Sequence, residues 1–252
     1  MRYILGEDIR IDRDTAVTIG KFDGLHIGHM HLLDKLQNIA AERGLATVVL
    51  SFSPHPAAFF TGKQTPLILS LDEKKYLLEQ AGIDYFIEYP FNRQFAQKSP
   101  TGFLEDVIRA QLNCRALIVG EGFRFGAGGR GDVAFAESLS HGLGFNLHAM
   151  PHITQDGEKT GSEAIRRYIA GGDLAEAKKA AGRGYFIIGQ MAEDGQTISI
   201  GHDKILPPDG DYDVIVHTAA NSLPAVAKIS GRLVSILCAD DSLTRQCVRV
   251  NF

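Results

Sequence analysis

Apolar positions in this chain recur with two periods, and the alternation between them predicts its architecture. From Thr15 to Ala149, short β-rich runs are separated by stretches whose apolar positions fall three and four apart. Thr15 to Ile19 predicts the first strand. Met30 to Glu42 follows as an amphipathic helix carrying Leu32, Leu33, Leu36, Ile39 and Ala40 on one side, with Gly44 as its stop. Leu45 to Phe52 predicts a buried strand, and Ser70 with Glu73 forms a capping box for a helix that ends near Gly82. Ile83 to Ile87 is the next strand. Ser99 caps a helix with Pro100 at its first position and Phe103, Leu104, Val107 and Ile108 turned inward. Arg115 to Val119 predicts a strand ending in Gly120, Asp132 caps a short helix, and Phe145 to Ala149 closes the series.

Strands alternating with helices predict a parallel α/β sheet, whose ligands bind beyond the carboxyl ends of the strands. Three unusual stretches each follow a predicted strand and are expected to converge on one face: Gly20 to His29, Ser53 to Pro56, and Gly120 to Gly126. Two helices come next, opened by the capping-box patterns Thr160 with Glu163 and Asp173 with Glu176, and ended by Gly171-Gly172 and Gly182. From Tyr185 the texture changes to short β pieces: Tyr185 to Gln190, Thr197 to Ile200, Tyr212 to His217, Arg232 to Leu237 and Gln246 to Val250. A boundary near residue 184 is therefore expected, with 1–184 as an α/β domain and 185–252 as a second, smaller β-rich domain.

Charge and composition narrow the class. With 26 Lys and Arg against 30 Asp and Glu, the net charge of -4 gives no support for a nucleic-acid-binding surface. No apolar segment approaches the roughly 20 residues that span a bilayer. Three scattered cysteines make neither a disulfide framework nor a paired-cysteine zinc site. The expectation is a cytoplasmic enzyme acting on small molecules, with no nucleic-acid or membrane partner.

The chemistry is concentrated in Gly20-Lys-Phe-Asp-Gly-Leu-His-Ile-Gly-His29. Glycines at a strand-to-helix junction let backbone N–H groups approach an anion, so Gly20, Gly24 and Gly28 suit a polyphosphate. His26 and His29 can donate hydrogen bonds to phosphate oxygens, more strongly when protonated, and Lys21 adds a positive charge. Asp23 fits beside anions only if it orients the turn through backbone N–H groups or acts through magnesium. No Gly-x-x-x-x-Gly-Lys-Ser/Thr loop is present, and the stretch lacks the dinucleotide fingerprint, which argues against an ordinary ATPase and against nicotinamide chemistry.

These residues resemble the bacterial bifunctional riboflavin kinase/FAD synthetase family, most strongly its FMN adenylyltransferase module, over about residues 1–184. The resemblance implies a Rossmann-like nucleotidyltransferase sheet. It also implies that His26 and His29 contact ATP phosphates while Gly20, Phe22, Asp23 and Gly24 build the nucleotide-binding turn. Lys21 stands where family members commonly have Asn. Phe52-Ser-Pro-His-Pro56 resembles the family's Phe-Asp-Pro-His-Pro and assigns Ser53, His55 and Pro56 to the pocket, with Phe59 and Phe60 as an aromatic wall. Gly120 to Gly126 resembles its Gly-x-Asp-Phe-Arg-Phe-Gly, with Gly122 in place of Asp. In an extended segment Phe123 and Phe125 point oppositely, so one is expected to build the core while Arg124 binds phosphate or orients the loop. Thr160-Gly-Ser-Glu-Ala-Ile-Arg166 aligns with Ile-Ser-Ser-Thr-x-Ile-Arg; Ser162, Ile165 and Arg166 survive, and Glu163 competes with phosphate or turns inward to complete the cap.

The activity implied is transfer of AMP from ATP to FMN with release of pyrophosphate, His26, His29, Lys21 and Arg166 aligning and neutralising the phosphates. Magnesium is expected with ATP, although no carboxylate cluster identifies a protein-borne metal site. The tail lacks the family's Pro-Thr-Ala-Asn kinase motif, so riboflavin phosphorylation is not expected. It reads as a truncated kinase-like remnant that packs against the first domain or mediates self-association into a homo-oligomer. Three alternatives stay open: a nucleotidyltransferase for another phosphorylated acceptor, a flavin- or nucleotide-binding regulator with little turnover, and a scaffold protein that binds neither ligand.

Overall fold

The computed structural model describes residues 1–151, 154–155, 158–159, 161–237 and 246–252. The chain forms two compact units: Met1–Phe22, Gly28–Gln64 and Lys75–Thr154 in the first, Asp23–Ile27, Thr65–Lys74 and Gln155–Phe252 in the second.

Among the described residues, the first unit holds a six-stranded parallel sheet of β1 (Arg2–Leu5), β2 (Thr15–Ile19), β3 (Ala46–Ser53), β4 (Tyr85–Pro90), β5 (Cys114–Gly120) and β6 (Asn146–Met150), ordered β1-β4-β3-β2-β5-β6. Every residue of β2 is buried, as expected of a central parallel strand covered on both faces. β3 and β5 flank β2 and their order runs outward in opposite directions, so the carboxyl end of β2 lies at a topological switch point. Val17, Ile19, Val48, Leu50, Leu117 and Val119 form the core together with Leu104, Val107 and Ile108.

The intervening helices are α1 (Ile27–Arg43), α2 (Pro56–Thr61), α3 (Leu71–Gln80), α4 (Arg93–Ala96), α5 (Pro100–Gly102) and α6 (Val133–Leu143). Ser99 caps α5, its hydroxyl accepting from the Gly102 N–H at 3.0 Å, and Asp132 caps α6 by accepting from the Phe135 N–H at 2.9 Å. Past α5 the chain widens into a π-helix, Phe103–Gln111, where the sequence predicts ordinary helix; Phe103, Leu104, Val107 and Ile108 are nonetheless buried. β1 has no predicted counterpart, because four residues at a sheet edge carry too little periodicity to read.

Past the short pair β7 (Thr154–Gln155) and β8 (Glu158–Lys159), the second unit contains α7 (Ser162–Ala170), α8 (Leu174–Ala181) and a closed barrel. Among the described residues the barrel comprises β9 (Phe186–Met191), β10 (Thr197–Ser199), β11 (Gly210–His217), β12 (Ser222–Ser230), β13 (Leu233–Leu237) and β14 (Cys247–Asn251). Its inward positions alternate along each strand: Val214 and Val216, Ala227 and Ile229, Val234 and Ile236, Val248 and Val250 are buried. β12 escapes sequence prediction because Pro224 interrupts it. Pro224 pairs with Ile215 of β11, and the described pairing with β13 begins at Val226.

A buried ion pair ties the Thr65–Lys74 segment to the barrel within this unit. The Lys204 ammonium donates to Glu73 at 2.6 Å and to the carbonyls of Ile68 (2.6 Å) and Phe186 (3.2 Å). Glu73 also accepts from the N–H groups of Ile188 and Ser70, the latter completing the predicted capping box of α3. Such a pair holds only because nearly all its polar valences are met. Among the described residues no helix is long and apolar enough to cross a membrane.

Candidate functional site

In the first unit, the chain leaves β2 through Gly20 and Lys21 and re-enters at Gly28 and His29 in the first turn of α1. Phe22 is fully buried with φ 49°, a conformation a non-glycine residue holds only when its surroundings over-determine it. The His29 ring rests against Phe22 with centroids 5.0 Å apart, which fixes the imidazole at the helix start. Lys21 is half-buried, its carbonyl accepting from the Ser51 hydroxyl at 3.5 Å. His31 is exposed and lies outside this arrangement.

The same unit carries an open cleft, half of whose fourteen lining residues are phenylalanines. It joins Phe52, Pro56 and Phe60 from the end of β3 with Phe123, Arg124 and Phe125 from the end of β5. Two of the three motif stretches therefore share one cavity beyond the carboxyl ends of their strands. Ser53, His55 and Phe59 are not among its lining residues. His55 instead caps α2, its Nδ1 accepting from the Ala57 N–H at 3.2 Å, and Phe59 packs edge-on against Phe60 and Phe91. Phe60 is 66% exposed, an aromatic wall facing open space.

The expectation that Phe123 and Phe125 point oppositely is wrong. Their rings stack at 5.1 Å with planes 17° apart. The segment is not extended: the Phe123 N–H turns back to the Gly120 carbonyl at 3.0 Å, and only Phe125 pairs, in a single bridge with Gly131. Gly126 allows this, since at φ +71° a Cβ would sit 2.7 Å from the Pro100 backbone. Arg124 extends outward with its nitrogen 3.4 Å from Asp132. Phe91, Phe95 and Lys98 also line it and have no counterpart in the sequence reading. Their signal was the aromatic pair four apart just after β4, again beyond a carboxyl end.

In the second unit, the turn Asp23–Ile27 is held from several sides. The buried Asp23 carboxylate accepts the N–H groups of Ile68 (2.9 Å) and Leu69 (3.3 Å) and pairs with Arg166, while its carbonyl accepts from the Ser162 hydroxyl. Of the roles open to Asp23, organising backbone N–H groups is the one the structure displays. Gly24 takes φ +87°, and a Cβ there would meet the Ile68 side chain at 3.0 Å, so a larger residue is strained there. Arg183 donates to the carbonyls of Gly24 and Leu25. Burial, then the nearby Arg183 charge, push His26 down to about 4. His26 is therefore neutral near pH 7, and the protonated form expected to strengthen phosphate contacts is not the one this environment favours.

Arg166 is committed more heavily than its sequence pattern implies. Besides Asp23 it reaches the Pro66 carbonyl at 2.8 Å and lies 3.4 Å from Glu163. The Glu163 side chain is 93% exposed and does not turn inward. The capping box expected there is not formed by it: Gly161 is the N-cap of α7, and Thr160 lies outside the described residues. Among the described residues no three His, Cys, Asp or Glu side chains are grouped to hold a metal ion.

Comparison with known proteins places these features in one family. The profile described as FAD synthetase matches residues 8–164. A bifunctional riboflavin kinase/FMN adenylyltransferase of Escherichia coli is 33% identical over 228 residues, covering 86% of this chain and 73% of that protein. An FAD synthetase of Listeria monocytogenes is 32% identical over 204 residues, covering 79% and 80% respectively. A crystal structure described as a macrolide-efflux protein from Streptococcus pneumoniae superposes with a TM-score of 0.83 at 24% identity, covering 99% of this chain and 98% of that one. At that identity the likeness is one of fold.

Proposed function

Since the chain belongs to the FAD synthetase family, we propose that it transfers AMP from ATP to FMN, releasing pyrophosphate and forming FAD. One observation carries this reading: the aromatic cleft that unites the ends of β3 and β5 on either side of the strand leading into Gly20. Stacked and edge-on rings offer flat apolar faces to a planar heterocycle, and Arg124 and Lys98 offer charge to its phosphate.

The FMN phosphate is already largely ionised near neutral pH, so no strong general base is needed. Its oxygen attacks the α-phosphorus of ATP, the bond from that phosphorus to the α,β-bridging oxygen breaks, and pyrophosphate leaves with the electron pair. In this proposal His29 and neutral His26 donate to phosphate oxygens, Lys21 supplies charge, and Arg166 acts chiefly through the Asp23 turn. Magnesium would accompany the ATP phosphates rather than a protein cage, adding charge neutralisation when bound.

We assign the transfer to residues 1–184 and read 185–252 as a truncated kinase-like barrel without riboflavin kinase activity, acting in the cytoplasm on ATP and FMN. The pairing of Arg166 with both Asp23 and Glu163 favours a second reading, a nucleotide- or flavin-binding protein with slow turnover. Incubation with α-labelled ATP, magnesium and a panel of phosphorylated acceptors tests both. Label in FAD alone supports the assignment; label in another acceptor, or binding without transfer, overturns it.

A further inference from the structure

We propose that Arg183 is a positioning residue for the nucleotide phosphates, acting by holding two carbonyls of the Asp23–Ile27 turn so that the intervening N–H groups face the anion. This rests on the phosphate role proposed above for the turn.

Arg183 Nη1 donates to the Leu25 carbonyl at 2.9 Å, and Nη2 to the Gly24 carbonyl. Both peptide bonds are trans, and in a planar trans peptide the carbonyl and the following N–H point in opposite directions. A guanidinium gripping both carbonyls therefore aims the N–H groups of Leu25 and His26 away from itself, toward one side. Positive φ at Gly24 (+87°) and Leu25 (+39°) curves that backbone, as in the concave N–H nests that bind anions. Leu25 is an uncommon residue for such a φ, and the Arg183 fork holds it there.

The two arginines of this unit differ in what neutralises them. Arg166 is paired with Asp23, whereas the Arg183 guanidinium meets no carboxylate at ion-pair distance among the described residues. Burial draws Arg183 down to about 10, so it still carries its charge near neutral pH. Beside the turn, Arg183 thus carries a charge that Glu73 offsets only from beyond ion-pair distance, and His26 feels both Arg183 and Asp23.

Calorimetry of ATP and of FMN against the full chain, with NMR titration of the His26 ring, tests this. Arg183→Gln is expected to weaken ATP binding at least about tenfold, with FMN affinity within about twofold of wild type. The His26 titration midpoint should rise, because the cation that helps suppress its protonation is gone. Arg183→Lys keeps the charge but cannot fork across two carbonyls. It should show the rise in midpoint only weakly and still lose several-fold in ATP affinity. Should Arg183→Gln not fold, Arg183→Lys carries the test. Wild-type ATP affinity in either folded variant overturns the proposal. A wild-type chain that binds ATP yet forms no FAD contradicts the adenylyl-transfer reading instead, and leaves these binding comparisons intact.

Discussion

His29 is presented to solvent-borne ligands by its contact with Phe22, a fully buried ring in a strained conformation at the exit of β2. His29→Ala removes the donor and, with it, the ring that packs on Phe22, so FAD formation should fall at least about tenfold, one transition-state contact of roughly 1.4 kcal/mol. Near-normal turnover with an unchanged circular dichroism spectrum would remove His29 from the catalytic set. His26 makes a pH prediction. Its folded pKa is lowered from 6.5 to about 4, chiefly by burial. The unfolded chain therefore binds the extra proton within that window, and stability is lost as pH falls through it. Urea melts at several pH values should show a shallower loss in His26→Gln; identical slopes would contradict the burial argument. The histidines and glycines of the turn were legible because they are contiguous. The Asp23–Arg166 pair was not, since its partners lie 143 positions apart and nothing in either local pattern refers to the other.

Helix and strand boundaries followed from local chemistry wherever one pattern competed with no other. Ser70 with Glu73, Ser99 with Pro100, Asp132 and Asp173 all cap as their types imply. Glu163 does not: with Gly161 as the N-cap it stands at the second helical position, not the third that a capping box uses, and its side chain lies out in solvent. The stacked Phe123 and Phe125 show the other failure: a turn held by Gly120 and a glycine forced open by Pro100 cancel the alternation that an extended strand would impose. Lys204 and Glu73 give a test at this scale. Lys204→Met leaves a buried carboxylate unpaired and should cost about 3–5 kcal/mol of stability. Adding Glu73→Gln removes that charge and keeps one of the two N–H contacts, since an amide offers a single acceptor oxygen, and should recover part of the loss. Chemical denaturation of the two variants decides it; equal, near-zero costs would mean the pair is not the anchor described.

Across the whole chain, alternating periods made the α/β sheet and the later β-rich region readable, as the parallel sheet and the closed barrel bear out. Strand order was not readable, because adjacency of β2 with β3 and β5 is a long-range fact. That adjacency is what brings the Phe52–Phe60 and Gly120–Gly126 stretches to one cleft. Residues 65–74 and 23–27 grouping with the barrel was equally invisible. The absent Pro-Thr-Ala-Asn motif predicts that riboflavin with ATP yields no FMN from the pure protein, a result chromatography reads directly; FMN accumulation would contradict it. The central claim is adenylyl transfer to FMN. Its most direct test is to supply ATP, FMN and magnesium and follow FAD and pyrophosphate together. The account predicts that both appear in equal amounts and only when all three are present. Pyrophosphate without FAD, or neither product from a protein that binds both substrates, would contradict it.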